Sequence, residues 1–244
     1  MTKAEIQLVR SLADKRSRDQ SGLFVAEGGK LVGEILHSPF RVRKLYTCGE
    51  RFGSAFEEPV SRTEMERMSS LKSPSGALAV VEIPRRDFDA ASYRRGLVLA
   101  LDEVQNPGNM GTIVRLADWF GIGDVICSPG CADCFNPKVV QATMGAILRV
   151  RVHYLDLAAE LARAAGEGVS VYGTFLDGGN IYREPLSPTG IVVMGNEGRG
   201  VSDPVARSVT RRLYIPPFPQ DTPGSESLNV AVATAIVCSE FRRR

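Results

Sequence analysis

Residues 106–115 read NPGNMGTIVR, and the fold is decided around them. Before them the apolar run LVLAL at 97–101 reads as a short buried strand; after them the apolar-periodic segment 112–120 reads as a helix. Between lie two asparagines, a proline and two glycines, the composition of a tight loop. Strand, loop and helix in that order form one unit of an α/β fold, and loops at the carboxyl ends of such strands bind ligands. The polar amides and Arg115 mark a candidate site there without naming a reaction.

Downstream the alternation continues. Strands are expected at 124–127, 149–153, 169–174, 191–194 and 213–215, with helices at 137–144, 157–165, 203–209 and 228–241. Such alternation implies a largely parallel sheet covered on both faces. Upstream, a helix at 4–13 precedes the polar, basic loop DKRSRDQSG at 14–22. A strand at 23–26, a helix at 29–37, a strand at 42–47, and a helix and strand within 60–81 follow. The reading is an α/β domain over 1–82, a linker over 83–95 marked by a proline and two Arg-Arg pairs, and a second domain over 96–244.

The 244 residues are 43% hydrophobic, enough for a sizeable core. No apolar run approaches the ~20 residues of a membrane span. No apolar leader opens the chain, and the five cysteines form no regular framework, so the expectation is a cytoplasmic protein with reduced thiols. Net charge is only +2, but residues 1–95 carry 17 Lys and Arg against 13 Asp and Glu. That half could meet phosphate, or simply be a charged solvated surface.

GNEGRG, residues 195–200, lies between an expected strand and helix. Its glycines allow a ligand close to the backbone, whose N–H groups could donate to it. It has neither the Walker nor the dinucleotide spacing, and an ordinary βα turn is an equal reading apart from Glu197 within it. The stretch IPPFPQDTPGSESLN, residues 215–229, is stiffened by four prolines. Hydroxyls at 225–227 can cap the last helix, and Asn229 should either cap or reach into a site. Cys131 and Cys134 form a C-x-x-C with no second pair at finger spacing, and the two histidines, His37 and His153, supply none, so no metal site is expected. The same scarcity argues against Ser-His-Asp catalysis. Trp119 shares a helical face with Leu116 and Phe120, which suggests core or interface. Arg242, Arg243 and Arg244 read as a solvated tail.

Taken together and in order, the three junctions resemble the SpoU (TrmH-type) branch of the SPOUT RNA methyltransferases. The first motif matches at Asn109, Gly111 and Arg115, and the second at Met194, Gly195, Glu197 and Gly198. The third matches at Ile215, Pro216, Ser227, Leu228 and Asn229. NPKVVQATMGAI at 136–147 resembles the family's connecting segment, and FVAEGGKLVGEIL at 24–36 its N-terminal substrate-binding domain.

The resemblance implies an S-adenosylmethionine-dependent 2′-O-methyltransferase acting on RNA ribose, with ribosomal RNA favoured over tRNA. It implies a parallel α/β sheet with a deep trefoil knot, preceded by a small α/β domain that binds RNA, and a homodimer whose active site is completed near the interface. Arg115 is the implied catalytic residue, supported by Asn109, Glu197, Ser227 and Asn229. Thr174, Met194, Gly195, Asn196, Gly198, Ile215, Pro216, Ser227 and Leu228 are the implied cofactor contacts. The basic residues Lys15 to Arg18 are the candidate RNA contact. The ten residues 217–226 exceed the usual family spacing, which implies a larger knot loop. Two other readings stay open: a non-catalytic RNA-binding protein on the same fold, and a nucleotide enzyme using GNEGRG for phosphate.

Overall fold

The structure, a computed structural model, describes residues 1–219 and 227–243. The chain begins α1 (Lys3–Ser11), α2 (Lys15–Ser21), β1 (Leu23–Glu27), α3 (Gly29–Leu36), β2 (Val42–Thr47), β3 (Glu57–Pro59), α4 (Arg62–Met68) and β4 (Ala77–Glu82). It continues α5 (Ser92–Arg95), β5 (Leu97–Leu101), α6 (Pro107–Trp119), β6 (Asp124–Cys127), α7 (Pro137–Ala142), β7 (Arg151–Tyr154) and α8 (Leu157–Gly166). It ends β8 (Val171–Asn180), β9 (Gly190–Met194), α9 (Asp203–Ala206), β10 (Arg211–Tyr214) and α10 (Val230–Arg243).

Two compact units result: Met1–Arg85 with Asp133–Leu148, and Arg86–Ala132 with Arg149–Arg244. In the first, β1-β4-β2-β3 form a sheet, antiparallel except where β2 meets β3. Ile6 and Val9 of α1 and Met65 and Met68 of α4 pack with Val25, Leu78 and Val80 of the sheet. The three-residue β3, EEP, carries no apolar signal and was not expected.

Residues 14–22 are not a loop. Asp14 caps α2 by accepting from Ser17 N at 3.1 Å, and Gly22 ends the helix in the left-handed conformation. Arg18 is correspondingly not an RNA contact: only 1% exposed, it donates to Asp133 at 2.6 Å and to the carbonyls of Leu12 and Ala13. Lys15 is paired with Asp19 at 2.7 Å, so only Arg16 of the expected cations is exposed and without a side-chain partner among the described residues.

The resemblance treats 136–147 as part of the second domain, but its contacts are with the first. Gln141 Nε2 donates to the Glu27 carbonyl at 2.6 Å, and the rings of Phe135 and Phe24 lie 4.8 Å apart.

The second unit holds a six-stranded sheet, β10-β8-β9-β5-β6-β7, parallel throughout. On one face Val98, Ala100, Val171, Ile191 and Val193 pack with Leu157, Leu161 and Ala164 of α8 and Val205 of α9. Against the other, Phe241 of α10 meets Tyr172 of β8 edge-on at 4.9 Å. The strand expected at 169–174 runs on to Asn180, because the β8–β10 ladder steps from Gly173 to Gly179 between consecutive β10 residues. Residues 174–178 therefore bulge out at the carboxyl edge of the sheet. Part of the expected linker is helical, as α5. Trp119 is 82% exposed and so not a core residue.

Candidate active site

The site begins with a helix that starts earlier than its composition suggests. The asparagine-glycine stretch is not a loop: Asn106 Oδ1 accepts from Gly108 N at 2.8 Å and Asn109 N at 3.2 Å, and Pro107 occupies the first helical position, where its missing N–H costs nothing. Asn109 is thus held in the first turn of α6, and Arg115 lies nearly two turns further on.

Asn109 Nδ2 donates to Glu197 Oε1 at 2.6 Å, and Asn109 Oδ1 accepts from Asn229 Nδ2 at 3.1 Å. Asn229 Oδ1 in turn accepts from Ala231 N at 3.0 Å and Val232 N at 3.3 Å, capping α10. Asn229 thus both caps and reaches into the site. The orientation of each amide follows from this series. Helix N–H groups can only donate and a carboxylate can only accept, so both asparagines must point their amino groups toward Glu197. Residues from the three junctions are brought together.

Arg115 is exposed, and its side chain makes no hydrogen bond or ion pair with the described residues. Ser227 is likewise exposed and without a side-chain bond among them.

The glycine loop is organised from within. Asn196 N and Gly200 N each donate to the other's carbonyl at 2.9 Å, and Asn196 Oδ1 accepts from Gly198 N and Arg199 N at 2.9 and 3.0 Å. Most of the N–H groups that a phosphate would need are therefore occupied. Asn196 Nδ2 donates to the Glu103 carbonyl at 2.7 Å, so the side chain expected to meet cofactor is committed within the protein. A Cβ at Gly195 would lie 2.3 Å from the Gly200 carbonyl carbon, so this position must be glycine for the loop to close.

Several of the remaining expected cofactor residues share a rim. Thr174 follows the β8–β9 ladder, Met194 ends β9 and Ile215 follows β10, on strands adjacent in the order β10-β8-β9. Met194 is buried, Thr174, Ile215 and Pro216 are half-buried, and Leu228 is 48% exposed. Apolar side chains beside main-chain polar groups suit an adenosyl group, whose ring has apolar faces and a polar edge.

Other expectations resolve differently. Residues 220–226, with the expected cap at Ser225, lie outside the described residues, as does Arg244. Arg242 is not solvated tail: it donates to the carbonyls of Phe120 and Gly121, past the end of α6. Cys131 and Cys134 are buried, and no cluster able to hold a metal occurs among the described residues. Nor is any helix among them long and apolar enough to cross a membrane.

A family model described as the SpoU rRNA methylase family matches residues 96–239. The chain belongs to that family. A second model, the MRM3-like substrate binding domain, matches residues 3–95. The two matches meet at residues 95 and 96, whereas packing assigns Asp133–Leu148 to the first unit. The 23S rRNA (guanosine(2553)-2′-O)-methyltransferase RlmP of Bacillus subtilis is 34% identical over 96% of this chain and 94% of its own length. A TrmH-family structure from Porphyromonas gingivalis is 40% identical with a TM-score of 0.87, covering 100% of this chain and 98% of that one. An S-adenosylmethionine-bound rRNA methyltransferase from Sinorhizobium meliloti is 26% identical with a TM-score of 0.86, covering 100% and 95%. This SpoU protein is a methyltransferase by family.

Proposed function

We propose that this protein transfers a methyl group from S-adenosylmethionine to a ribose 2′-hydroxyl of ribosomal RNA. The observation that carries this reading is the hydrogen-bonded series from Asn229 through Asn109 to Glu197, beside the loop that begins at Gly195. Bound cofactor supplies a methyl group already activated on a sulfonium. The protein's task is then to align the ribose oxygen and assist loss of its proton, so positioning supplies much of the rate.

The cofactor would be held by Thr174, Met194, Gly195, Gly198, Ile215, Pro216, Ser227 and Leu228, largely through main chain. Asn196 would act by shaping the loop. Asn109, oriented from both sides, would face the ribose. Glu197 orients Asn109. Arg115 would hold the phosphate next to the reacting ribose; a guanidinium keeps its proton, so the hydroxyl proton leaves to phosphate oxygen or water.

The reading includes the trefoil knot, a cytoplasmic location and a homodimer. Exposed Trp119 and the half-exposed Val232, on α6 and α10, support association of two copies, and Arg115, without a side-chain partner among the described residues, suits a site completed by the second copy. Residues 1–82 would bind RNA, through cations such as the exposed Arg10, Arg16 and Lys30. The linker would be 83–95 and the methyltransferase domain 96–244.

Tritiated S-adenosylmethionine with total RNA from cells lacking the protein tests the reading, and mapping of 2′-O-methyl positions locates the product. Label in 23S rRNA is the expected result. Label confined to tRNA would move the substrate, and none in either RNA would leave a non-catalytic RNA-binding role.

A further inference from the structure

Glu103 is one of two non-glycine residues with positive φ, at 57°, among the described residues. The left-handed conformation is unfavourable for a residue that carries a side chain. Nothing in the implied motifs requires it. The surroundings hold it in place. Glu103 N donates to Ser128 Oγ at 2.9 Å, and Ser128 Oγ donates to Glu103 Oε1 at 3.3 Å. Val104 N donates to the buried Cys131 Sγ at 3.3 Å, Cys131 Sγ donates to the Leu101 carbonyl at 3.1 Å, and Ala132 N donates to the Val104 carbonyl at 2.9 Å. A Cβ on Gly130 would lie 2.1 Å from Glu103 Oε1, so the carboxylate packs directly on that glycine.

The product of this clamp is the position of the Glu103 carbonyl, which receives Asn196 Nδ2 at 2.7 Å. Asn196 Oδ1 at the same time closes the loop carrying Glu197. The neighbouring Asp102 is tied the same way: its N–H donates to the Met194 carbonyl at 2.9 Å and its carboxylate accepts from Ser202 N at 2.7 Å. Three residues after Glu103, Asn106 caps the helix that bears Asn109.

We propose that Ser128 and Cys131 are positioning residues: the turn 128–131 fixes the left-handed main chain at position 103, whose carbonyl, through Asn196, sets the glycine loop for cofactor. This rests on the assignment of that loop to the cofactor. The side chains of Ser128 and Cys131 act through the main chain of 103–104.

The test is a double-mutant cycle read as the affinity of the intact protein for S-adenosylhomocysteine by calorimetry. Asn196→Asp removes the donor to Glu103 but keeps the acceptor for Gly198 and Arg199. Ser128→Ala removes the acceptor for Glu103 N. One neutral hydrogen bond corresponds to about a three- to tenfold change, so each single variant should lose affinity by about that factor. Because both act on one carbonyl, the double variant should lose no more than about twofold beyond the weaker-binding single one. Glu103→Gly, which keeps the carbonyl and removes the strain, should bind within about twofold of wild type. Losses that multiply across the cycle, or a Glu103→Gly loss as large as that of Asn196→Asp, overturn the proposal. So does a loss of affinity that merely follows a fall in melting temperature. Failure of rRNA methylation by wild-type protein would instead overturn the proposed function and leave this cycle readable.

Discussion

Asn109 and Glu197, 88 positions apart in sequence, are joined by a 2.6 Å hydrogen bond in which the amide donates to the carboxylate. The partner on Asn109's other side, Asn229, is itself fixed by the N-terminal N–H groups of α10. Polarity therefore runs one way, from helix end to carboxylate; reversing the Asn109 amide would break two bonds and reversing Asn229 three.

The direction of that series can be tested by charge. Asn109→Asp sets a second carboxylate against Glu197 and should lower kcat by about a hundredfold, whereas Glu197→Gln keeps an acceptor and should cost about tenfold. Steady-state methyl transfer to rRNA measures both. Wild-type turnover by Glu197→Gln would show that its charge is not needed.

Arg115 has no partner within the described residues, so its removal should leave folding alone. Arg115→Ala is expected to abolish methyl transfer while S-adenosylhomocysteine still binds within about twofold, measured calorimetrically. Arg115→Lys should recover little activity, because an ammonium lacks the planar fork that grips phosphate.

Arg18 and Asp133 are a stability pair, not a binding one. Asp133→Ala leaves a guanidinium only 1% exposed without its charge partner and should destabilise the first unit by about 3–5 kcal/mol in urea denaturation. Deleting residues 1–85 is a poor test of RNA binding for a related reason: it strips Phe135 and Gln141 of Phe24 and Glu27. Charge reversal at Arg16 tests RNA affinity without that damage.

Asp124 contributes a pH-dependent share of the stability. Burial opposes its ionisation, but hydrogen bonds from His153, Arg151 and Ser92 outweigh burial and hold the carboxyl well below the usual carboxylate range. Its stabilisation is therefore fully present above the unfolded value of about 3.9 and is lost as pH falls toward the lower folded value. Wild-type protein should lose stability steeply below about pH 4. Asp124→Asn should be less stable at pH 7 and show a shallower acid limb; parallel curves would refute the assignment.

Thiol labelling reports the packing. Of the five cysteines only Cys48 is not buried, and burial pushes the Cys238 thiol up to about 12. Ellman's reagent should titrate one thiol rapidly in native protein and all five in guanidinium. Fast reaction of Cys238 would contradict its burial.

Much was legible in the sequence because it is local. Strands at 97–101 and 124–127 fall where the apolar runs put them, since a buried strand needs only a short continuous run. The family was legible because Asn109, Glu197 and Asn229 keep motif spacing that can be read along the chain. Boundaries governed by a single side chain were not: Asn106 and Asp14 convert stretches of loop composition into helix by capping. Nor could the chain show where Asp133–Leu148 packs, because Arg18 finds Asp133 only after folding brings residues 115 positions apart together. The same holds for Glu103, an ordinary residue in sequence whose left-handed backbone exists only because Ser128, Cys131 and Asn196 surround it. Residues 106–115 thus determine that there is a site, while which atoms of it donate and accept is decided by contacts between distant residues, since hydrogen-bond direction depends on the partner and not on the residue alone.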